Sequence, residues 1–346
     1  MSPKRFFVCG RVCLFGEHSD WASELGSYSG RCLVVGTDQG IKAIAMKADS
    51  FSVESPIYGT RGRVWSMSCP MSIPSLQEAT QDQTEFFRYC AGVALEIKRR
   101  YGITGIRMKI KSMELPLRKG VSSSAAVCIL MAKAFDVVYE LGMFPHELME
   151  VAYRGERLTG SQCGRMDQAC IYGKTPVLLT FLGGKEPKVD PLRAGGNFYL
   201  LLVDLGGDKD TVKILSDLRR TYPMDENIQR VLGRTKEEIV RKAYRAITQG
   251  DSESLGGLMR IAQQEFDRYV APASSGLGSP LLHTLLGWKP IQDYIYGGKG
   301  VGSQGDGTAQ LLCKSETDRE EVKRIIGRDL PGMSCFQLTI RRRKDG

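Results

Sequence analysis

Residues 115 to 126, Leu-Pro-Leu-Arg-Lys-Gly-Val-Ser-Ser-Ser-Ala-Ala, place three consecutive hydroxyls at the start of an apolar helical stretch continuing through Val127, Ile129, Leu130 and Ala134. A helix start offers unpaired backbone N–H groups and the positive end of the helix dipole, and both favour an anion. Ser122, Ser123 and Ser124 therefore read as a phosphate cradle, with Pro116 and Gly120 shaping the approach. Serine is also a preferred cap residue, so an ordinary capped helix reads equally well from this segment alone. A second polar group is Gly16-Glu17-His18-Ser19-Asp20-Trp21, delivered as one loop by an apolar β-type run over residues 6 to 15. A third is Gly297 to Gly307, too glycine-dense for regular structure. On their own, Glu156 and Asp167 read as solvated charges, one at a helix end and one in a loop.

The elements that must carry these groups are legible in outline. A mostly antiparallel sheet opens the chain, with strands at 6 to 15, 31 to 36, 41 to 47, 51 to 54 and 62 to 68 separated by Gly, Pro, Asp and Ser. From Thr84 to Arg100 the spacing becomes helical, with Phe87, Cys90, Val93, Ala94 and Ile97 on one stripe. Residues 106 to 111 alternate as a half-buried strand that leads straight into the serine loop. Pro145 opens another helix, followed by the polar turn 159 to 164, the segment Arg165-Met166-Asp167-Gln168 and a strand at 176 to 181. Glycine-rich residues 183 to 196 mark a domain boundary. Beyond it come a strand at 198 to 203, helices around 209 to 220, 225 to 248 and 252 to 270, and a short helix near 281 to 287. A strand at 309 to 313, a helix at 316 to 327 and a strand at 334 to 341 close the chain.

At 346 residues the chain is long enough for two domains, each with its own core. The net charge of +9 suits anionic ligands, but Lys and Arg are interspersed with Asp and Glu. The one dense basic run, Arg341 to Lys344, has no interleaved aromatics, which argues for a solvated tail and against a nucleic-acid partner. Ten cysteines occur singly, without a CxxC pair, and His18, His146 and His283 are far apart, which argues against zinc. No stretch has the length and apolarity of a signal peptide or a membrane span, so a cytoplasmic protein is expected.

The segment Gly10-Arg11-Val12-Cys13-Leu14-Phe15-Gly16-Glu17-His18-Ser19-Asp20 closely resembles the first signature of the galactokinase branch of the GHMP kinases (galactokinase, homoserine kinase, mevalonate kinase, phosphomevalonate kinase). Pro116 to Ala126 resembles the second motif of that family, its phosphate-binding loop, and Gly297 to Gly307 resembles the third. The resemblance implies an α+β, two-domain GHMP kinase fold. Its N-terminal domain, residues 1–190, would be like ribosomal S5 domain 2, and its C-terminal domain, residues 191–346, would be ferredoxin-like, with the active site in the cleft between them. It also implies ATP, Mg2+ and a small-molecule sugar or polyol acceptor, in a monomer or homodimer with no nucleic-acid or membrane partner. Phosphoryl transfer is chiefly positioning and charge stabilisation, so a helix start, serine hydroxyls and two carboxylates suffice for it.

The same resemblance assigns roles. Cys163-Gly164-Arg165-Met166-Asp167-Gln168 is similar to the galactokinase segment holding the catalytic aspartate, which makes Asp167 the base or electrostatic activator and Arg11 the cation beside it. Glu156, eleven residues earlier, resembles the metal-binding glutamate of mevalonate kinase, and with Ser123 or Ser124 it would hold Mg2+. ATP phosphates fall to Pro116, Arg118, Lys119, Gly120, Val121, Ser122, Ser123, Ser124 and Ala125. The acceptor falls to Glu17, His18 and Asp20, with Gly164, Gly302 and Ser303. Mevalonate kinases lack an acid at the place of Asp20, which favours a sugar or polyol over an isoprenoid.

Three departures qualify the match. Arg118 stands where the second motif has its first glycine. The third motif reads Gly-Ser-Gln-Gly-Asp-Gly, and Cys13 and Trp21 replace a galactokinase Asn and Tyr, so the acceptor pocket differs. The expected function is an ATP-dependent kinase acting on a monosaccharide, sugar acid or polyol, with the anomeric hydroxyl among the candidates. The alternatives are a sugar- and ATP-binding regulator without turnover and a mevalonate-type kinase.

Overall fold

A computed structural model describes residues 2–26, 28–58, 64–115 and 123–342. The chain forms two compact units that are not consecutive stretches of sequence. The first comprises Met1–Arg11 and Gly36–Gly173, the second Val12–Val35 and Lys174–Gly346.

Strand β1 (Lys4–Phe15), helix α1 (Ser19–Leu25) and the 19-residue strand β2 (Gly30–Ala48) come first. Two strands were the expectation from the punctuation at Thr37-Asp38-Gln39-Gly40, yet that stretch stays extended as part of β2. Glycine at 40 makes this feasible, because an added Cβ would stand 2.5 Å from both the Phe7 ring and the Val8 carbonyl oxygen.

The first unit continues with β3 (Ser50–Tyr58), β4 (Val64–Pro70), α2 (Ile73–Gln81), α3 (Arg88–Tyr101), β5 (Gly105–Met113), α4 (Ser123–Tyr139) and α5 (Pro145–Arg157). Its strands follow the order β4-β3-β5-β2, with β3 and β5 parallel and the other pairs antiparallel. On β5, Ile106, Met108 and Ile110 face a core shared with Phe51, Phe87, Val93, Ile97 and Phe135, while Arg107 and Lys109 face outward. Helix α2 went unread although Ser72 caps it, its hydroxyl accepting from the Ser75 N–H. Helix α3 starts at Arg88 and not Thr84, because the Asp82 carboxylate accepts both the N–H (3.0 Å) and the hydroxyl (2.7 Å) of Thr84 and holds a turn there. Helices α3 and α5 meet at glycines. A Cβ on Gly92 would lie 2.1 Å from the Gly155 carbonyl oxygen, and one on Gly155 would lie 2.6 Å from the Val93 backbone.

In the second unit β6 (Val177–Phe181) pairs antiparallel with Gly30–Val34 of β2, and β7 (Lys188–Pro191) pairs with β6. There follow β8 (Phe198–Asp204), α6 (Thr211–Thr221), α7 (Glu226–Arg230), α8 (Lys236–Gln249), α9 (Ser252–Tyr269) and α10 (Pro280–Leu286). The chain then adds β9 (Ile295–Gly300), β10 (Thr308–Cys313), α11 (Glu316–Asp329) and β11 (Ser334–Ile340). The sheet order is β11-β8-β10-β9, antiparallel throughout. The expected single helix over 225 to 248 is interrupted by a π-helical turn, Val231–Thr235.

The expectation that residues 297 to 307 lack regular structure is corrected in part, since Ile295–Gly300 is a strand. Its glycines serve close approach: a Cβ on Gly297 would stand 2.1 Å from the Gly256 carbonyl oxygen on α9. Only the turn beyond uses conformational freedom, at Gly302 (φ 66°), Gln304 (φ 60°) and Gly305 (φ 73°). Among the described residues no helix is long and apolar enough to cross a membrane.

Candidate active site

In the first unit, four elements bring the chemical groups together. Arg11, buried on β1, donates from Nη2 to Asp167 Oδ1. Asp167 begins a 3-10 turn, Asp167–Tyr172, that ends at Gly173 with φ 63°. The segment before it is clamped to α5: Arg165 donates to both Glu150 oxygens (3.0 and 3.3 Å) and lies over the Tyr153 ring at 4.2 Å. On the other side, the Cys9 thiol reaches the Cys170 carbonyl at 3.5 Å and ties the turn to β1.

Glu156, at the end of α5, is 1% exposed. Gln168 Nε2 donates to its Oε2 at 2.8 Å, and the Ser124 hydroxyl also bonds to it. Burial, with the Asp167 charge adding, pushes its carboxyl up to about 7. The partners that lower it are Ser124, Gln168 and Cys163, none of them a cation. A second clue is the Gln168 Oε1 atom, buried beside this carboxylate without a partner. The nearby Cys128 and Cys163 are held as neutral thiols, pushed up first by burial and then by the Glu156 charge. A hard cation is what this donor set fits: a carboxylate short of positive charge, a hydroxyl and an orphaned amide oxygen. Among the described residues no three His, Cys, Asp or Glu side chains cluster for a metal. An ion here would therefore complete its shell with water and phosphate, as Mg2+ does.

Ser123 and Ser124 open α4, a 17-residue helix whose residues from Ala125 to Ala132 are fully buried. Pro116, Arg118, Lys119, Gly120, Val121 and Ser122, expected to bind phosphate, lie outside the described residues. Gly164 lies in the loop before Asp167, also in the first unit.

The remaining expected acceptor residues belong to the second unit. Glu17, His18 and Asp20 are buried where β1 ends and α1 begins. His18 occupies the N-cap position with φ 67° but makes no side-chain cap bond; its Nδ1 accepts from Trp21 Nε1 at 3.1 Å. Glu17 is joined to Lys299 of β9 in a buried ion pair, and Lys236, the first residue of α8, donates to the Glu17 backbone carbonyl. Gly302 and Ser303 lie in the turn after β9.

Sequence reasoning missed Gln168, Lys236 and Lys299 as site residues. Gln168 and Lys299 sit inside quoted motifs, which was the available signal. Lys236 stands among Arg234, Glu237 and Glu238 like any solvated helix charge and gives none.

The fold is mixed α+β, consistent with the two-domain fold of the GHMP kinases. The structure of Lactococcus lactis galactokinase complexed with galactose superposes with a TM-score of 0.76 at 17% identity, covering 97% of this chain and 93% of that one. Residues 88–174 match the GHMP kinases N-terminal domain. That domain match and the relatives that follow make the chain similar to the GHMP kinases. Galactokinase of Thermotoga petrophila is 28% identical over 181 residues, which is 51% of this chain and 48% of that protein, so the match spans about half the length of that relative. Mevalonate kinase of Aeropyrum pernix is 24% identical over 257 residues, 73% of each chain.

Proposed function

We propose that this chain is a Mg-ATP-dependent kinase transferring the γ-phosphoryl group to a hydroxyl of a monosaccharide, sugar acid or polyol. The observation that carries this reading is the assembly, within one unit, of Arg11 on Asp167 and of Ser124 and Gln168 on a buried Glu156. Asp167 receives the acceptor hydroxyl proton or offsets its charge. Arg11 pairs with that carboxylate and opposes the charge that develops during transfer. Glu156, Ser124 and the Gln168 amide oxygen would hold Mg2+, which would supply neutralisation of phosphate charge. The first turn of α4 receives phosphate oxygens through its N–H groups, together with the expected Arg118 and Lys119. Asp20 supports a polyhydroxylated acceptor over an isoprenoid one.

Acceptor-dependent ADP release, measured with Mg-ATP against hexoses, uronates, heptose derivatives, sugar phosphates, polyols and mevalonate, tests the reading. Release with none of them would overturn it. Asp167→Asn should lower kcat by about 10²–10⁴-fold, the usual worth of a positioned general base, and leave ATP affinity by calorimetry unchanged. Turnover comparable to the parent protein would take Asp167 out of the mechanism.

A further inference from the structure

Around Glu17 and His18 the second unit buries two lysines, Lys236 and Lys299. Lys299 occupies the Glu17 carboxylate, so the buried Lys236 ammonium turns to the Glu17 backbone carbonyl. Among the described residues no carboxylate lies at ion-pair distance from Lys236. Lys209 and Arg219 add to the positive field at His18, whereas Glu17 and Asp20 are the carboxylates acting on Lys236.

His18 supplies a directional clue. An indole N–H can only donate, so the Nδ1 that Trp21 reaches carries no proton. Burial first, then Lys236, Lys209, Lys299 and Arg219, holds the imidazole well below 6.5, so the ring is neutral and its proton sits on Nε2. That N–H is buried without an acceptor. The Phe266 ring ties the two groups together. It stacks on His18 with centroids 6.0 Å apart and lies 5.6 Å from Lys236 Nζ. Both groups offer donors and neither offers an acceptor. Lys236 also follows directly on the π-helical turn Val231–Thr235, a distortion concentrated at functional sites.

We infer that the acceptor carries an anionic group of its own, a carboxylate or phosphate ester, received by Lys236 together with the Nε2–H of His18. The inference rests on reading Glu17 to Asp20 as the acceptor segment, and it makes the substrate an acidic sugar and not a neutral hexose. Lys236 becomes the specificity-determining residue.

Calorimetry without nucleotide reads acceptor binding independently of turnover. Galactose should be compared with galacturonate and galactose 6-phosphate, and glucose with glucuronate and glucose 6-phosphate. Within a series the acidic sugar should bind about ten- to a hundredfold more tightly, the worth of one hydrogen bond to a charged group. Lys236→Met should erase that preference and Lys236→Arg should keep it. The uronate and phosphate arms distinguish the two anions. Inorganic phosphate gives a readout free of sugar identity. With only three histidines in the chain, the His18 ring resonances are assignable by their loss in His18→Gln. Phosphate should shift them saturably in the parent and Lys236→Arg proteins but not in Lys236→Met. Equal affinity within every series, or His18 resonances indifferent to phosphate, overturns the inference. Turnover of neutral sugars with acidic ones rejected would leave the kinase reading standing and remove this one. Acid binding without ADP release from any acceptor would do the reverse.

Discussion

His18 is a neutral imidazole kept from taking up a second proton by burial and by four cations, and this has a consequence for acid stability. Unfolded, the ring takes a proton near 6.5; folded, it does so only at lower pH. Between those values the unfolded state binds more protons, so the stability His18 allows is complete above 6.5 and is lost as pH falls, by at most about 1.4 kcal/mol per pH unit. Glu156 has the opposite sign. Its raised value lets the folded state take up a proton first, so its contribution is complete below 4.5 and lost as pH rises through about 7. The parent protein alone would mix the two. The difference in unfolding free energy between parent and His18→Gln isolates the histidine: it should be flat above 6.5 and move against the parent below it. A difference independent of pH from 7 down to 5 would show that the folded His18 takes up a proton where the unfolded ring does. At this scale the sequence was readable where a residue stood in a motif, as Arg11, Glu17, Glu156 and Asp167 do. It was silent on Lys236, because its burial comes from folding α8 against Glu17 and Phe266 and not from its neighbours in sequence.

Helices α3 and α5 place Glu156 through a crossing that only glycines permit. Glycine inside a helix ordinarily costs about 1 kcal/mol relative to alanine, so Gly155→Ala would stabilise α5 in isolation. Here the new methyl would meet the Val93 backbone at 2.6 Å, and backbone cannot swing aside as a side-chain tip can. Overpacking of this kind costs about 1–3 kcal/mol, so the steric effect outweighs the propensity gain. Gly155→Ala is expected to lower the melting temperature by several degrees and, on the role proposed for Glu156, to weaken Mg2+-dependent ATP binding in calorimetry by moving that residue. A variant as stable as the parent would mean that the crossing is loose. Elements with a strong period were legible in advance, notably α3, β5 and β8. The misreadings came from single residues whose partners lie far along the chain. Gly40 fits under Phe7, which lets one strand run where two were expected, and Gly297 fits against Gly256, which makes a strand of a segment read as loop. Composition marks such glycines as breaks; only their tertiary neighbours show them to be close contacts.

The chain passes between its units after Arg11, after Val35 and after Gly173, so residues 174 to 346 are not a self-contained body. The pattern could show that there were two cores but not that Val12–Val35 belongs to the second, because proximity in sequence groups it with the first. The second unit depends on that excursion in three ways. Val12, Leu14, Phe15, Leu33 and Val35 enter its core beside Leu200 and Leu202. Gln310 Nε2 donates to the carbonyls of Cys13 and Leu14, 3.1 Å to each. Glu17 supplies the carboxylate of buried Lys299 and the carbonyl of buried Lys236. Removing one partner of a buried ion pair costs about 3–5 kcal/mol, a large part of the roughly 5–15 kcal/mol that holds a domain together. The cavity left by five apolar side chains adds to that loss. A fragment of residues 174 to 346 should therefore show no cooperative thermal transition and collapsed amide dispersion. The same fragment with residues 12 to 35 joined to it by a flexible linker should regain both. A sharp transition in the bare fragment would mean that the Lys236 and Lys299 ammoniums find other partners, and that Glu17 is not what anchors them.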